Sequence, residues 1–467
     1  MEGAKRALIL AGGGMRLAYQ AGVLIALEEN SVSFDHVDGT SGGIFNAGML
    51  ASGLDGDQIA ARWRALDIKK FMSLQPLKKY FKPLNMMGYA DANGIRNKIF
   101  PGLGIDIHKI NVFDRGEVTF NVCNFSNKSI EAIPHHRAKE DHLIAGVSLP
   151  IVMPGLQIDG DWYSDAVWIK DANLIEAVQR GATELWLVWA IGNTPTYLPG
   201  ALNQYVHMIE MSANGGLLEE YARIALINEA RTGVSKSMKQ QKPVKLFVIK
   251  PKFPLPLDPD LFFGKIDARS LINMGYADAK NTLAAMPENG IPMDAAATKM
   301  TEPVTRFNLR NEFHGTLNSA QEQFSVSFYS YLVYATAPDD IHHFSSIYIK
   351  AFGKEIPCFN HRLKREKSRE NSTYESEWHF IHEQEIYSLC AKFNVHTALD
   401  LMLGLEFKKI GMAIIKEGKT LMEGTLYQNT QKRLRSRLSY HVRKPDGKGG
   451  SLRLNYDMAT KLIDYAI

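Results

Sequence analysis

Short apolar runs alternate with helical patterns over the first 286 residues. The first pair is the apolar run Ala7–Leu10 followed by the helical pattern Tyr19–Glu28. The same order recurs further on, at Glu184–Ala190 then Tyr205–Glu229 and at Val244–Ile249 then Ala268–Leu283. Strands that alternate with helices are typical of βαβ units, in which helices cover both faces of a parallel sheet. The pattern predicts a three-layer α/β domain with a mainly parallel central sheet over residues 1–290.

The pattern changes to a period of two after the stretch Pro287–Pro303. Alternating segments read as strands, and they are Phe324–Phe328, Ile347–Ile349, Trp378–Phe380, Ile386–Val395, Leu421–Gln428, Arg433–Val442 and Leu452–Tyr456. The charged segment Arg362–Thr373 reads as a loop between two of them. This spacing predicts a mainly antiparallel β domain over residues 300–467, an accessory domain that could bind lipid or a partner.

Composition excludes several classes of protein. The 467 residues carry a net charge of +4, too small for counterion release to hold the whole molecule on nucleic acid. Three widely spaced cysteines form no CxxC pair, so neither a disulfide framework nor a cysteine-rich zinc site is indicated. We expect no secretory signal at the N-terminus, and we find no apolar run of the roughly 20 residues needed to cross a bilayer. We therefore expect a cytoplasmic protein that meets membranes only at their surface.

A glycine-rich turn follows the first predicted strand. Gly12, Gly13 and Gly14 lead into Met15 and Arg16, and backbone amides at such a strand-to-helix turn can converge on one anion. A P-loop would end in Gly-Lys-Ser/Thr, which is absent, and a dinucleotide fingerprint would have glycine where Leu17 stands. An oxyanion hole is the third interpretation, and it requires a nucleophile nearby.

The motif GxSxG supplies that nucleophile 25 residues after the turn. Gly39-Thr40-Ser41-Gly42-Gly43 precedes an apolar helical run from Ile44 to Leu50. In a nucleophile elbow, the outer glycines, here Gly39 and Gly43, let the strand and helix pack closely while the serine is held on a sharp turn. The helix N-terminus also favours the negative charge that develops during attack.

The serine needs a base, and the residues leave two kinds of candidate. Asp165 lies in the segment Trp162–Val167 before a helical pattern, and burial would raise its pKa toward the range of a useful base. Asp159 is a competing aspartate, but Asp159-Gly160 suits a hairpin turn. The histidines of this domain, none of which sits in a motif, are His36, His108, His135, His136, His142 and His207.

These motifs resemble those of the patatin-like phospholipases, over about Lys5–Met286. The resemblance implies a Ser-Asp dyad with Ser41 as nucleophile and Asp165 as base. It also implies oxyanion amides from Gly12, Gly13, Gly14 and Met15, with Arg16 steadying the loop. Two positions depart from the family pattern: Leu17 stands where glycine is frequent, and Ala166-Val167 replaces the Gly-Gly or Gly-Ala that follows the aspartate.

The expected activity is hydrolysis of a phospholipid or related lipid ester through an acyl-enzyme, with no cofactor and no metal. Two alternatives stay open: a catalytically silent lipid-binding or scaffold protein, and a lipid acyltransferase. The apolar and basic region 59–110 is predicted to form either a cap that accepts acyl chains and meets anionic head groups or an ordinary amphipathic helical cover. Arg433, Arg435 and Arg437 would project from one strand face, which is either a solvated face of the sheet or a surface for anionic lipid or a partner. No protein partner is indicated.

Overall fold

The computed structural model describes residues 4–67, 73–74, 90–192, 196–233, 242–255, 261, 264–302, 305–336, 339–367, 372–395, 408–444 and 457–458. The chain divides into two compact units. The first comprises residues 1–258 and 282–300, and the second comprises residues 259–281 and 301–467. No helix among the described residues is long and apolar enough to cross a membrane.

The first unit contains ten described strands and eight described α-helices. The strands are β1 Arg6–Leu10, β2 His36–Thr40, β3 Ser73–Leu74, β4 Ala90–Asp91, β5 Glu117–Asn124, β6 Ser129–Pro134, β7 Leu156–Ile158, β8 Asp161–Asp165, β9 Glu184–Val188 and β10 Lys245–Ile249. The helices are α1 Ala18–Glu29, α2 Gly43–Ala51, α3 Gly56–Ala65, α4 Phe100–Leu103, α5 Ile107–Asn111, α6 Glu140–Gly146, α7 Leu174–Gln179 and α8 Ala201–Gly233.

The central sheet of this unit has the order β10-β9-β1-β2-β5-β8-β7, with β6 paired to β5. Strands β10, β9, β1, β2 and β5 run parallel, whereas β6, β7 and β8 pair antiparallel at one side. The parallel strands are almost wholly buried because helices cover both faces. The sheet is therefore mainly parallel, as the alternating pattern predicts.

The second unit contains helix α9 Ala268–Ala285, whose residues up to 281 belong to it, and a sheet of ten described strands. The strands are β11 Arg306–Asn318, β12 Gln323–Thr336, β13 Asp339–Ile349, β14 Glu355–Pro357, β15 Phe359–Lys367, β16 Ser372–His382, β17 Glu385–Val395, β18 Lys409–Lys416, β19 Lys419–Tyr427 and β20 His441–Arg443. Their order is β14-β13-β12-β11-β19-β18-β17-β16-β15, with β20 on β11. Every recorded pairing is antiparallel, so the predicted class of this domain is confirmed.

The prediction of a strand over Arg433–Val442 is wrong. Residues Thr430–Ser439 form helix α10, and only His441–Arg443 pair as strand β20. Asn429 caps the helix, because its side chain accepts a hydrogen bond from the amide of Lys432 at 2.9 Å. Most of the residues that follow are good helix formers, so the cap and the local propensity agree.

The predicted loop over Arg362–Thr373 is also largely wrong, because strands β15 and β16 extend into both of its ends. Arg362 lies opposite Glu377 and Lys364 lies opposite Glu375 in the antiparallel register. Opposite charges on facing positions stabilise a strand pair, so a charged segment can continue a sheet. The predicted strand at Leu452–Tyr456 lies outside the described residues, as do residues 68–72 and 75–89 of the predicted cap.

The division into units differs from the predicted boundary at residues 259–281. The sequence prediction places these residues in the first domain, whereas they form part of the second unit. Within that unit, Arg269 Nε donates to Glu355 at 2.9 Å and Asn273 Nδ2 donates to Ser346 Oγ at 3.0 Å. These contacts tie helix α9 to strands that follow it by more than seventy residues, which no local pattern shows.

Candidate active site

The glycine-rich turn and the GxSxG motif meet at one edge of the parallel sheet. Strands β1 and β2 are hydrogen-bonded neighbours with Leu10 opposite Gly39. Both strands run the same way, so the glycine turn after β1 and Ser41 after β2 leave the sheet side by side. The carboxyl edge of a parallel sheet is where open α/β folds bind their ligands.

Ser41 occupies the strained turn that a nucleophile elbow requires. Its φ is +50°, a left-handed conformation that is uncommon for residues other than glycine. Helix α2 begins two residues later, and Gly43 packs directly on strand β1, where a Cβ would lie 2.0 Å from the Leu10 carbonyl oxygen. Only glycine permits this approach, which presses the turn against the end of the sheet.

Ser41 and Asp165 are joined by a short hydrogen bond. The hydroxyl Oγ of Ser41 donates to Oδ2 of Asp165 at 2.7 Å, and the side chain of Asp165 is fully buried. The second carboxyl oxygen, Oδ1, accepts the amide of Val167 at 2.9 Å. Asp165 is the last residue of β8, and β8 pairs with β5 through Val122. The sheet therefore holds the carboxyl group in place.

Burial changes the proton affinity of Asp165. It raises the pKa of this carboxyl to about 7, although the hydrogen bonds from Val167 and Ser41 act in the opposite direction. A free aspartate has a pKa near 3.9 and is a weak base. A carboxylate with a pKa near neutrality is much better suited to accept a proton from a serine hydroxyl.

The glycine turn offers backbone donors beside the serine. A Cβ on Gly12 would lie 2.7 Å from Cβ of Ser41, so the turn and Ser41 are in close contact. In the part of the chain that the structure describes, the amides of Gly13 and Gly14 have no hydrogen-bond partner. Nε of Arg16 donates to the Gly13 carbonyl at 2.8 Å, which orients the turn. Gly14 has φ +62°, a conformation that favours glycine.

A third carboxyl group, Asp171, lies at this site, and the sequence analysis did not identify it. Its Oδ2 accepts the amide of Gly12 at 2.8 Å, so this amide is already engaged and differs from the free amides of Gly13 and Gly14. The other oxygen of Asp171 is buried and has no hydrogen-bond partner among the described residues. No motif marks this aspartate. In the sequence it is only a charged residue that precedes Ala172–Leu174, a short run that is buried in the structure.

Ionising Asp165 and Asp171 at the same time is energetically unfavourable, because both are buried. Burial is the largest cause that raises the pKa of Asp171 well above its ordinary range, and the charge of Asp165 raises it further, while the Gly12 amide and Arg16 lower it. Like charges in a dry site disfavour double ionisation. The charge of Asp165 therefore favours the neutral form of Asp171.

The histidines of this unit make other contacts. His36 is buried with Nε2 2.8 Å from Oγ1 of Thr119, and burial lowers its pKa to about 4. Nδ1 of His142 accepts the amide of Lys139 at 3.1 Å. The ring of His142 also contacts Tyr163. His135 contacts Val118, Phe113 and His136, and His207 contacts Leu198, Tyr197 and Glu210. No histidine among the described residues is recorded as bonded to Ser41.

The side chain of Asp159 is exposed to solvent, unlike that of Asp165. It forms the turn between β7 and β8 with φ +52°, as Asp159-Gly160 predicts, and it pairs with Lys139 at 2.6 Å. The hydrogen bond from Lys139 lowers the pKa of Asp159. An exposed, paired carboxylate has a lower proton affinity than a buried one, so Asp165 is the better base of the two.

A polar network lies at the end of β2, directly before the elbow. Asp38 is fully buried and accepts hydrogen bonds from Oγ1 of Thr119 and Nδ2 of Asn121, each at 2.6 Å. Asn121 also donates to Oγ1 of Thr40 at 2.9 Å and accepts from Asn173 at 2.9 Å. Satisfied buried networks of this kind hold their surroundings rigidly, so the end of β2 that leads into Ser41 is held in a fixed position.

The two departures from the family pattern have local explanations. Leu17 is fully buried, and a Cβ on Gly42 would lie 1.9 Å from its Cδ1, so the leucine packs against the elbow. Ala166 and Val167 begin a 3₁₀ turn that Asp165 caps, and neither residue has a positive φ. The alanine is therefore compatible with the backbone that presents Asp165.

Comparison with known proteins gives one family match and one similar protein. Residues 8–178 match the model of the patatin-like phospholipase family, so the first unit contains a patatin-like phospholipase domain. The chain is also similar to lysophospholipase NTE1 of Candida glabrata, with 25% identity over 198 residues. That alignment covers 40% of this chain and 10% of the longer relative. Both findings support a lipid hydrolase.

Asp171 provides a test of how the glycine turn is held. In Asp171→Asn the amide oxygen can still accept the Gly12 amide, and the neutral side chain imitates the protonated acid, so ester hydrolysis should stay near the wild-type rate. Asp171→Ala loses the acceptor, and we expect kcat to fall about 100-fold, comparable to the loss of an oxyanion donor. Steady-state kinetics on folded variants checks this. Equal impairment of both variants would contradict the anchoring role.

Proposed function

We propose that this protein is a serine acyl hydrolase that cleaves the acyl ester of a phospholipid or lysophospholipid through a Ser41-Asp165 dyad. The observation that carries the proposal is the 2.7 Å hydrogen bond from Ser41 Oγ to Asp165 Oδ2. It joins a serine in a strained elbow to a buried carboxyl whose pKa lies near neutrality. A lysophospholipid is included because the similar protein from Candida glabrata is named a lysophospholipase.

The proposed reaction has two steps. Oγ of Ser41 attacks the ester carbonyl carbon while its proton passes to Oδ2 of Asp165. The alcohol then leaves with that proton, and Ser41 carries the acyl group. Water attacks the acyl-enzyme in the second step, gives a proton to Asp165 and releases the fatty acid, after which the serine recovers its proton. The balance is ester plus water giving alcohol plus fatty acid.

The free amides of the glycine turn are the proposed oxyanion hole. Gly13 and Gly14, together with Met15, supply N–H groups next to Ser41, and the negative oxygen of the tetrahedral intermediate would accept from them. The Gly12 amide has a different task, because it fixes the turn to Asp171. Serine, carboxylate and amides supply the nucleophile, the base and the oxyanion donors, so the proposal includes no cofactor.

We further propose that the protein acts on lipid at a membrane surface, in the cytoplasm, without crossing the bilayer. The support is the class of substrate, since a lipid with long acyl chains is presented in a membrane or micelle. An acyltransferase would use the same first step, and it would differ only in the acceptor that attacks the acyl-enzyme. Product analysis with and without an added alcohol separates the two activities.

Asp165→Asn should remove most of the hydrolytic activity. The amide has nearly the shape of the carboxyl group but cannot accept the serine proton, so we expect kcat to fall by about 10² to 10⁴-fold. The matched control is His142→Ala, which alters a buried histidine whose ring contacts Tyr163 and should keep its activity. Release of fatty acid from a lysophospholipid measures both. An active Asp165→Asn beside an inactive His142→Ala would mean that a histidine is the base.

Activity should rise with pH and level off above about pH 7. Asp165 is a base only when ionised, and burial raises its pKa to about 7. The ionised fraction, and with it kcat/KM, should fall about tenfold for each pH unit below that value. The profile is measured from about pH 5 to about pH 8 on the folded enzyme. A rate that stays constant across this range would contradict a base of raised pKa.

A further inference from the structure

The second unit contains a polar cavity of about 370 Å³. Its walls are the first turns of helix α9, strands β11 and β12, and helix α10. Apart from Gly264, every lining residue has a polar or charged side chain, and none is aliphatic. The volume is in the range of small-molecule sites, but the lining does not suit an acyl chain.

Hydrogen bonds hold the walls of this cavity in place. Oγ of Ser436 on α10 donates to Oδ1 of Asn311 on β11 at 2.7 Å. The amide of Arg310 donates to Oγ of Ser439 at 3.0 Å, which ties the end of α10 to the same strand. The guanidinium of Arg269 lies 3.7 Å over the ring of Tyr329. The cavity is thus formed by side chains that are already fixed before any ligand arrives.

Positive charge dominates the lining. Four basic side chains and two acidic ones face the cavity: Arg269, Arg310, Lys432 and Arg435 against Asp267 and Glu312. Arg310 pairs with Asp267 at 3.0 Å, and Lys432 pairs with Glu312 at 2.7 Å. Arg269 is neutralised by Glu355 at 2.9 Å.

Arg435 is the remaining basic residue of the lining, and it is not part of these ion pairs. Its side chain has no ion pair or hydrogen bond with any residue that the structure describes, and it is exposed at the cavity. Its guanidinium keeps five donors for a ligand. The cavity therefore combines one uncompensated positive charge with fixed guanidinium and ammonium groups around it.

We propose that this cavity binds the phosphate group of a phosphate ester. A phosphate offers three strong acceptor oxygens and one to two negative charges, and guanidinium groups match its geometry. A carboxylate has only two oxygens and would leave most of these donors unused. The ester is carried either by a small soluble molecule or by the head group of a lipid. This proposal does not depend on the hydrolase activity of the first unit.

Helix α10 supplies a matched control for the test. Successive residues of an α-helix are rotated by about 100°, so Arg433 and Arg437 lie on one side and Arg435 lies roughly opposite. Arg435 lines the cavity, whereas Arg437 is exposed on the same helix and does not. Replacing either one removes the same charge from the same exposed helix, and only one replacement changes the cavity.

The test measures binding to the full chain carrying Ser41→Ala, so that no probe is hydrolysed. Calorimetric titrations use glycerol 3-phosphate, inorganic phosphate and, for comparison, acetate. Vesicle sedimentation uses phosphatidylcholine with and without phosphatidic acid. Each is repeated with Arg435→Gln and with Arg437→Gln. We expect a phosphate probe to bind, Arg435→Gln to weaken it at least tenfold, and Arg437→Gln to leave it within about twofold.

The arms also separate the two sources of phosphate. Saturable binding of glycerol 3-phosphate that depends on Arg435 supports a soluble ester. Binding only to vesicles with phosphatidic acid, again dependent on Arg435, supports a lipid head group. The proposal is overturned if no phosphate probe binds, if acetate binds as tightly as phosphate, or if Arg437→Gln weakens binding as much as Arg435→Gln.

Discussion

The candidate site depends on the hydrogen bond between Ser41 and Asp165, two side chains that are both buried away from water. In bulk water a carboxylate is too weak a base for a serine hydroxyl, whereas burial of Asp165 raises its pKa to about 7. That burial depends on close backbone packing around the elbow, where Gly43 lies against strand β1 and Gly12 lies against Ser41 itself. The glycines of the two motifs therefore do more than shape turns. They let Ser41 and Asp165 come within hydrogen-bonding distance, which bulkier residues at the glycine positions would prevent.

Asp171 is a second buried carboxyl group, and it contacts the glycine turn. Its carboxyl group fixes the Gly12 amide, and as long as it stays protonated it adds no second negative charge beside Asp165. Buried carboxyl groups lower the stability of a fold unless they are neutral or hydrogen-bonded. Three of them, Asp38, Asp165 and Asp171, lie fully buried near the carboxyl ends of neighbouring strands. Several buried carboxyl groups at one edge of a sheet are typical of functional sites. Such sites keep groups that lower the stability of the fold because the reaction needs them.

The sequence predicts most of this site because its elements carry local signals. The glycine turn, the elbow and the segment around Asp165 each have a recognisable pattern, and the alternation of apolar runs predicts the parallel sheet. Asp171 lacks a motif, since its role arises from a contact with Gly12 that is 159 residues away in the chain. The strand prediction for the residues of helix α10 is wrong because alternating arginines and leucines imitate a period of two, whereas the cap at Asn429 is a signal from one residue. The charged ends of β15 and β16 read as a loop because their stabilising partners lie on the opposite strand.

The most direct measurement of the central claim is the intact mass of the protein after reaction with a fluorophosphonate, because only an activated serine is labelled. The account predicts one adduct on the wild-type chain, located at Ser41 by peptide mapping, no adduct on Ser41→Ala, and much slower labelling of Asp165→Asn. Ser52→Ala, which removes a buried hydroxyl bonded to the Gly48 carbonyl at 2.7 Å, should label like the wild type. An unlabelled wild-type protein that is correctly folded would contradict the account and favour a catalytically silent lipid-binding domain.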